Sequence, residues 1–126
     1  MNLEHVAINV PEPGKMAEWW SERFGMKIVL ANTTAPFIHF ISDGQGSMLE
    51  LYSNPDADIP DYSEIHPQTL HIAFVTDTIE EERQRLIDEG ATPVGEITPL
   101  GTNLLAFFRD PWGVPFQLVK RQSPLE

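Results

Sequence analysis

Two blocks of residues recur in the same order about half a chain apart, and this repeat constrains the fold more than any other feature. His5-Val6-Ala7-Ile8 matches His71-Ile72-Ala73-Phe74 without a gap. Phe40-Ile41-Ser42-Asp43-Gly44-Gln45-Gly46 matches Phe107-Phe108-Arg109-Asp110-Pro111-Trp112-Gly113, and the match continues through Glu50-Leu51-Tyr52 against Gln117-Leu118-Val119. The register shifts by one residue between the two blocks. With 126 residues there is room for one domain built from two copies of a unit. The expected organisation is a single domain over 1–126, with repeat one at about 3–52, an acidic connection at 53–69, and repeat two at about 70–120.

Each copy reads as strand, helix and three strands, a βαβββ unit of the α+β class. Leu3 to Val10 alternates, with Val6, Ile8 and Val10 on one face and His5, Ala7 and Asn9 on the other. Met16, Trp19, Trp20 and Phe24 form an apolar stripe that predicts a helix from Pro13 to Phe24, closed by Gly25. Strands follow near 27–31, 37–41 and 48–52. The second copy opens with a strand at 70–75 and a helix from Ile79 to about Glu89, capped by Asp77 or Thr78. Strands near 92–98, 104–109 and 115–120 complete it. The chain after Arg121 is expected to fray.

The alternation singles out four polar residues. The bulky face of each first strand must be covered by its helix, which leaves His5 and His71 on the opposite face, each followed by alanine. Glu50 opposes Leu49 and Leu51, and Gln117 opposes Phe116 and Leu118. Two potential ligands per repeat thus fall on the non-helix face at equivalent places, and face-to-face pairing of the repeats would make them converge. Two imidazoles, a carboxylate and an amide oxygen suit one divalent ion such as Zn, Ni, Co, Mn or Fe(II), and lack the oxygens of a calcium cage. On a six-coordinate ion, two positions would remain for water or substrate oxygens.

Composition narrows the alternatives. The chain has no cysteine, which excludes disulfides and thiolate ligation. Its formal charge of −11 repels phosphate backbones and anionic lipid, so neither nucleic acid nor a membrane is an expected partner. Nothing reads as a signal peptide or a membrane span, and the default compartment is the cytoplasm. The remaining candidates have ordinary explanations. His39 has Ala106 as its repeat partner, and its face is left open by the pattern; His66 precedes Pro67 in a loop. Trp19, Trp20 and Trp112 read first as core or turn anchors, and Glu80-Glu81-Glu82 as a solvated helix start.

The opening Leu-Glu-His-Val-Ala-Ile, the Met-Leu-Glu-Leu-Tyr strand and the closing Asp-Pro-Trp-Gly-Val-Pro-Phe-Gln-Leu-Val resemble the vicinal oxygen chelate superfamily. That group includes glyoxalase I, methylmalonyl-CoA epimerase, fosfomycin-resistance enzymes, extradiol dioxygenases and bleomycin-resistance proteins. The resemblance spans about Leu3 to Lys120. It implies a glyoxalase-like fold in which the two repeats pair into an eight-stranded, open, barrel-like mixed sheet around a metal-binding cavity. It also implies His5, Glu50, His71 and Gln117 as the metal ligands and a homodimer as the assembly. The first three match the bacterial glyoxalase I pattern; Gln117 departs from it, because that position carries glutamate there. An amide oxygen can bind a metal but cannot take up a proton. The set resembles that of the epimerase with its halves exchanged.

Three functions follow from the resemblance. The first is an enzyme of the lyase or isomerase/epimerase class, in which a metal chelates vicinal oxygens of a small substrate and stabilises an enediolate or enolate, while Glu50 or another carboxylate at the cavity rim moves the proton. The second is a sequestering protein of the bleomycin-resistance type, which binds a drug or metabolite without turnover. The third is an iron-dependent ring-cleaving dioxygenase using His5, His71 and Glu50, with the carboxylate in the opposite half from the usual arrangement. Glutathione as co-substrate has no support, since the eight Lys and Arg residues form no basic cluster.

Overall fold

The computed structural model describes residues 1–126. The chain divides into two compact units, Met1–Pro60 and Asp61–Glu126, each carrying one βαβββ repeat. The first unit contains β1 (His5–Asn9), α1 (Pro13–Phe24), β2 (Lys27–Ala31), β3 (His39–Ser42) and β4 (Met48–Tyr52). The second contains β5 (Ile72–Val75), α2 (Ile79–Asp88), β6 (Thr92–Leu100), β7 (Asn103–Arg109) and β8 (Pro115–Lys120). Each forms a four-stranded mixed sheet, ordered β1-β4-β3-β2 and β5-β8-β7-β6, and no closed barrel forms. In both, the first strand runs parallel to the last, and the remaining pairs are antiparallel.

The helices form where propensity and punctuation agree. Proline at the first positions of α1 loses no helical hydrogen bond, and Gly25 at φ 64° lets the chain leave through a left-handed turn. Pro13, Met16, Ala17 and Trp20 are the buried face of α1, which packs against β2, β3 and β4. Helix α2 buries Ile79 and Leu86 against β6, β7 and β8. Fully buried Ile41, Leu51 and Trp20 form the centre of the first core; Phe108 and Phe116, stacked at 4.9 Å between centroids, form that of the second. Removing a side chain such as Phe108 or Trp20 costs about 3–5 kcal/mol.

Two local expectations are revised, and one side chain takes an unforeseen role. Val6 belongs to the helix-facing side of β1 but is 49% exposed, because β1 is the edge strand and α1 lies over its neighbours. Asn9, on the opposite face, is 7% exposed. Its Nδ2 donates to the carbonyls of Asn54, Ala57 and Asp58, and its Oδ1 accepts from the Asn54 N–H. The acidic connection is also ordered rather than a plain loop, since it contains a 3-10 turn at Tyr62–Glu64 capped by the Asp61 carboxylate. Arg109 donates to the Tyr62 carbonyl, which ties that turn to the end of β7 within the second unit. No helix is long and apolar enough to cross a membrane.

Candidate functional site

Strand register places the candidate residues. Ala7 pairs with Glu50 across β1 and β4, and Phe40 pairs with Glu50 across β3 and β4. In the second unit Ala73 pairs with Gln117, and Phe107 pairs with Gln117. The two halves therefore repeat the same constellation: a histidine two residues before an alanine, an oxygen-bearing side chain beside that alanine, and a phenylalanine beyond. The histidines pack alike. His5 meets Phe40 edge-on at 5.1 Å between ring centroids, and His71 meets Phe107 edge-on at 5.2 Å. Phe40 and Phe107 each open the second repeated sequence block, so the repeat carries a signal for them that alternation alone does not expose.

Hydrogen bonds at Nδ1 fix what each imidazole can do. His71 Nδ1 lies 2.7 Å from the Pro67 carbonyl oxygen. That oxygen only accepts, so Nδ1 carries the proton and the neutral ring presents a bare Nε2 lone pair. His5 Nδ1 lies 2.9 Å from the Glu4 carboxylate, which selects the same tautomer. Anchoring one ring nitrogen while freeing the other is the arrangement metal-binding histidines use.

His5 Nε2 then faces Glu50 Oε1 at 3.6 Å, too long for a hydrogen bond. In the neutral tautomer that keeps its proton on Nδ1, the Nε2 lone pair and the carboxylate oxygen repel each other, and a cation in contact with both reverses the sign. The His5 and Glu50 side chains retain 33% and 18% of their exposure, so the pair itself stabilises the fold little. Gln117 is 8% exposed, and its amide makes no hydrogen bond within the chain, which leaves an oxygen donor uncommitted. His71 stands at the entry to β5, one residue before the ladder begins, and is exposed.

The structure thus brings His5 and Glu50 together, and sets His71 and Gln117 on the equivalent strand positions. No group of three or more His, Cys, Asp or Glu residues gathers in a form that could hold a metal. The donor chemistry fits a divalent ion as far as each pair goes, with one free imidazole nitrogen and one oxygen per repeat. His39 turns to the helix side of its sheet: its Nδ1 bonds the Phe37 carbonyl at 2.7 Å, and its Nε2 lies beside Gly14 of α1. His66 Nδ1 accepts from the Gln68 N–H in an exposed turn, as a loop residue would.

Known proteins share this architecture. Solved structures with the same fold include TnmS3, an antibiotic binding protein from Streptomyces sp. CB03234, at 17% identity and a TM-score of 0.74, covering 97% of each chain. The fosfomycin resistance protein FosX from Listeria monocytogenes superposes with a TM-score of 0.72 at 16% identity, over 100% of this chain and 95% of its own. The oxidase ChaP-H2 does so at 0.70 and 19% identity, over 96% and 94%. At these identities the likeness is one of fold. No curated protein matches the sequence. The family model for the Glyoxalase/Bleomycin resistance protein/Dioxygenase superfamily matches residues 2–118, and the chain belongs to that superfamily, the vicinal oxygen chelate group.

Proposed function

We propose that this protein is a metal-dependent enzyme that moves a proton on a small oxygenated substrate, in the lyase or isomerase/epimerase class. The observation that carries the reading is the repeated constellation, in which each histidine has Nδ1 occupied and Nε2 free beside an oxygen-bearing strand. His5, Glu50, His71 and Gln117 form the proposed ligand set, two from each unit, and the residues 1–126 act as one functional domain. A bound divalent ion would supply Lewis-acid stabilisation of negative charge developing on a substrate oxygen. Glu50 is the only one of the four able to accept a proton as a carboxylate, and is the proposed base. The Ala7 and Ala73 methyls leave space beside the oxygen donors, and Phe40 and Phe107 supply apolar walls. A homodimer is proposed as the assembly, to be checked by analytical ultracentrifugation at micromolar concentration.

Calorimetric titration with Zn, Ni, Co and Mn tests the ligand set. The full chain should take up about one ion per site, and His5→Ala and His71→Ala should each lose most of the affinity. Unchanged affinity in both variants would remove the metal site. Solvent deuterium incorporation into hemithioacetals, 2-oxo acids and epimerisable thioesters tests the chemistry. A second reading, sequestration of a small apolar compound, is supported by the aromatic edges at Phe40 and Phe107 and by the shared fold of the antibiotic binding protein. It predicts tight binding without exchange in any variant.

A further inference from the structure

The non-helix face of the first sheet carries one hydrogen-bonding group that neither the fold nor the proposed ligand set uses. Tyr52 lies two residues after Glu50 on β4, so their side chains share a face about 6–7 Å apart along the strand. Its partner across the parallel ladder is Asn9. Tyr52 is half-buried, and its hydroxyl makes no hydrogen bond within the chain. A phenol held at the edge of an apolar face normally finds a partner for its O–H.

The other polar groups on that face are committed. Asn9 spends its amide on three carbonyls and one N–H of the 54–58 loop. Ser42 accepts from the Gly44 N–H at the far end of β3. Lys27 pairs with Ser42 at that same distant end, so no cation lies beside Tyr52. The backbone around Tyr52 is pinned, because its carbonyl accepts from the Val10 N–H and the next residue, Ser53, donates to the Pro36 carbonyl. The second repeat has Val119 at the equivalent position, so this donor exists in one half only.

We infer that Tyr52 is a substrate-binding residue whose phenol donates a hydrogen bond to a ligand oxygen held beside Glu50. The inference rests on the proposed function and extends it to the ligand: a compound with an exposed oxygen next to an apolar or aromatic body. Glu50 can only accept while ionised, so a ligand oxygen reaching this face needs a donor, and Tyr52 is the one available. The surrounding Ala7, Phe40 and Met48 offer contact to carbon rather than charge, which disfavours a multiply anionic ligand.

The test uses the full chain, zinc, and 4-nitrocatechol, a coloured aromatic compound with two adjacent oxygens, comparing wild type with Tyr52→Phe. Zinc affinity by calorimetry and the thermal midpoint should be unchanged in Tyr52→Phe. Its dissociation constant for 4-nitrocatechol, read by absorbance on the zinc-saturated protein, should rise about tenfold, the usual consequence of losing one hydrogen bond to a charged oxygen. Equal binding by both proteins overturns the role of Tyr52 and leaves the metal reading standing. Wild type that takes zinc but does not bind 4-nitrocatechol also overturns it, as does a Tyr52→Phe variant whose zinc affinity or thermal midpoint falls along with binding. Wild type that takes no zinc sinks the proposed function, and this inference with it.

Discussion

In the first repeat the Asp43 carboxylate accepts from the N–H groups of Gln45 and Ser47, and the Asp43 N–H donates to the Ser47 carbonyl. In the second repeat Asp110 accepts from Trp112 and Val114 and donates to the Val114 carbonyl in the same way. The turn is one piece of chemistry used twice, but its surroundings differ. Asp43 is exposed, whereas Asp110 is 3% exposed and its turn packs on the Tyr62–Glu64 segment. The last strands diverge likewise: β4 alternates between buried and half-buried residues, while every residue of β8 but Lys120 is buried. The two repeats share the hydrogen-bond plan of the turn and differ in its burial. The turn and last strand are the better packed in the second repeat, and in the first they present the more accessible polar face with the only carboxylate ligand candidate.

The sharpest break in that symmetry is at the oxygen donors. If the first half carries the proton-transfer chemistry, Glu50→Gln should lower turnover on the order of a hundredfold to ten-thousandfold. Gln117→Glu should keep metal binding, since a carboxylate replaces an amide oxygen at the same register. Deuterium exchange surviving in Glu50→Gln would remove Glu50 as the base, and absence of exchange with every substrate class would favour sequestration.

The turn glycines give the next largest contrast. Gly113 has φ 86° and Gly46 has φ 104°, both in the region that disfavours a Cβ. A Cβ on Gly113 would also lie 2.7 Å from the Ser63 backbone nitrogen, whereas one on Gly46 would meet nothing within 4 Å. Gly46→Ala should therefore cost about 1–2 kcal/mol from backbone strain alone. Gly113→Ala should add about 1–3 kcal/mol of overpacking against a backbone that cannot rotate away. Urea unfolding of the two variants measures the difference; equal midpoints would mean the docked 3-10 turn shifts freely.

Asp110→Ala should cost about 2–3 kcal/mol, because it strips the acceptor from two N–H groups, one of them in buried Val114. Asp43→Ala exposes its two N–H groups to water, which satisfies them, and should cost no more than about 0.5–1 kcal/mol. Thermal melts of the pair would blunt the comparison if the two losses were the same.

Much of this architecture is legible in the chain because the repeat and the strand period are local signals. Helix α1 begins and ends at Pro13 and Phe24 as the stripe and Gly25 predict, and β4 and β8 fall at 48–52 and 115–120 as their alternation predicts. The shared face of His5 and Glu50 follows from the same period. What is not legible depends on partners distant in sequence. The face of His39 is decided by Gly14 on α1, the exposure of Val6 by its place at a sheet edge, and the anchoring of His71 by the Pro67 carbonyl. The 3-10 turn at Tyr62 is hidden from a local reading because its stabilising contact, Arg109, is 47 residues away.

Asn9 combines both kinds of information, and its predicted effect is the most local. Alternation puts it on the same face as His5, and nothing local shows what its amide bonds. Its amide closes the 54–58 loop through four hydrogen bonds to backbone groups 45 to 49 residues downstream. The equivalent position in the second repeat is Val75, which is 71% exposed and holds no loop. Asn9→Ala leaves the Asn54 N–H and three carbonyls without their shared partner, but Ala57 and Asp58 are exposed and water can reach their oxygens. The net cost should therefore lie near the lower end for a buried hydrogen-bonded amide, about 1–2 kcal/mol. Hydrogen exchange should show the effect locally, with the Asn54 amide losing protection while β4 amides keep theirs. Val75→Ala should change neither. Loss of protection throughout β4 in Asn9→Ala would mean that the loop and the first sheet unfold together as one cooperative unit.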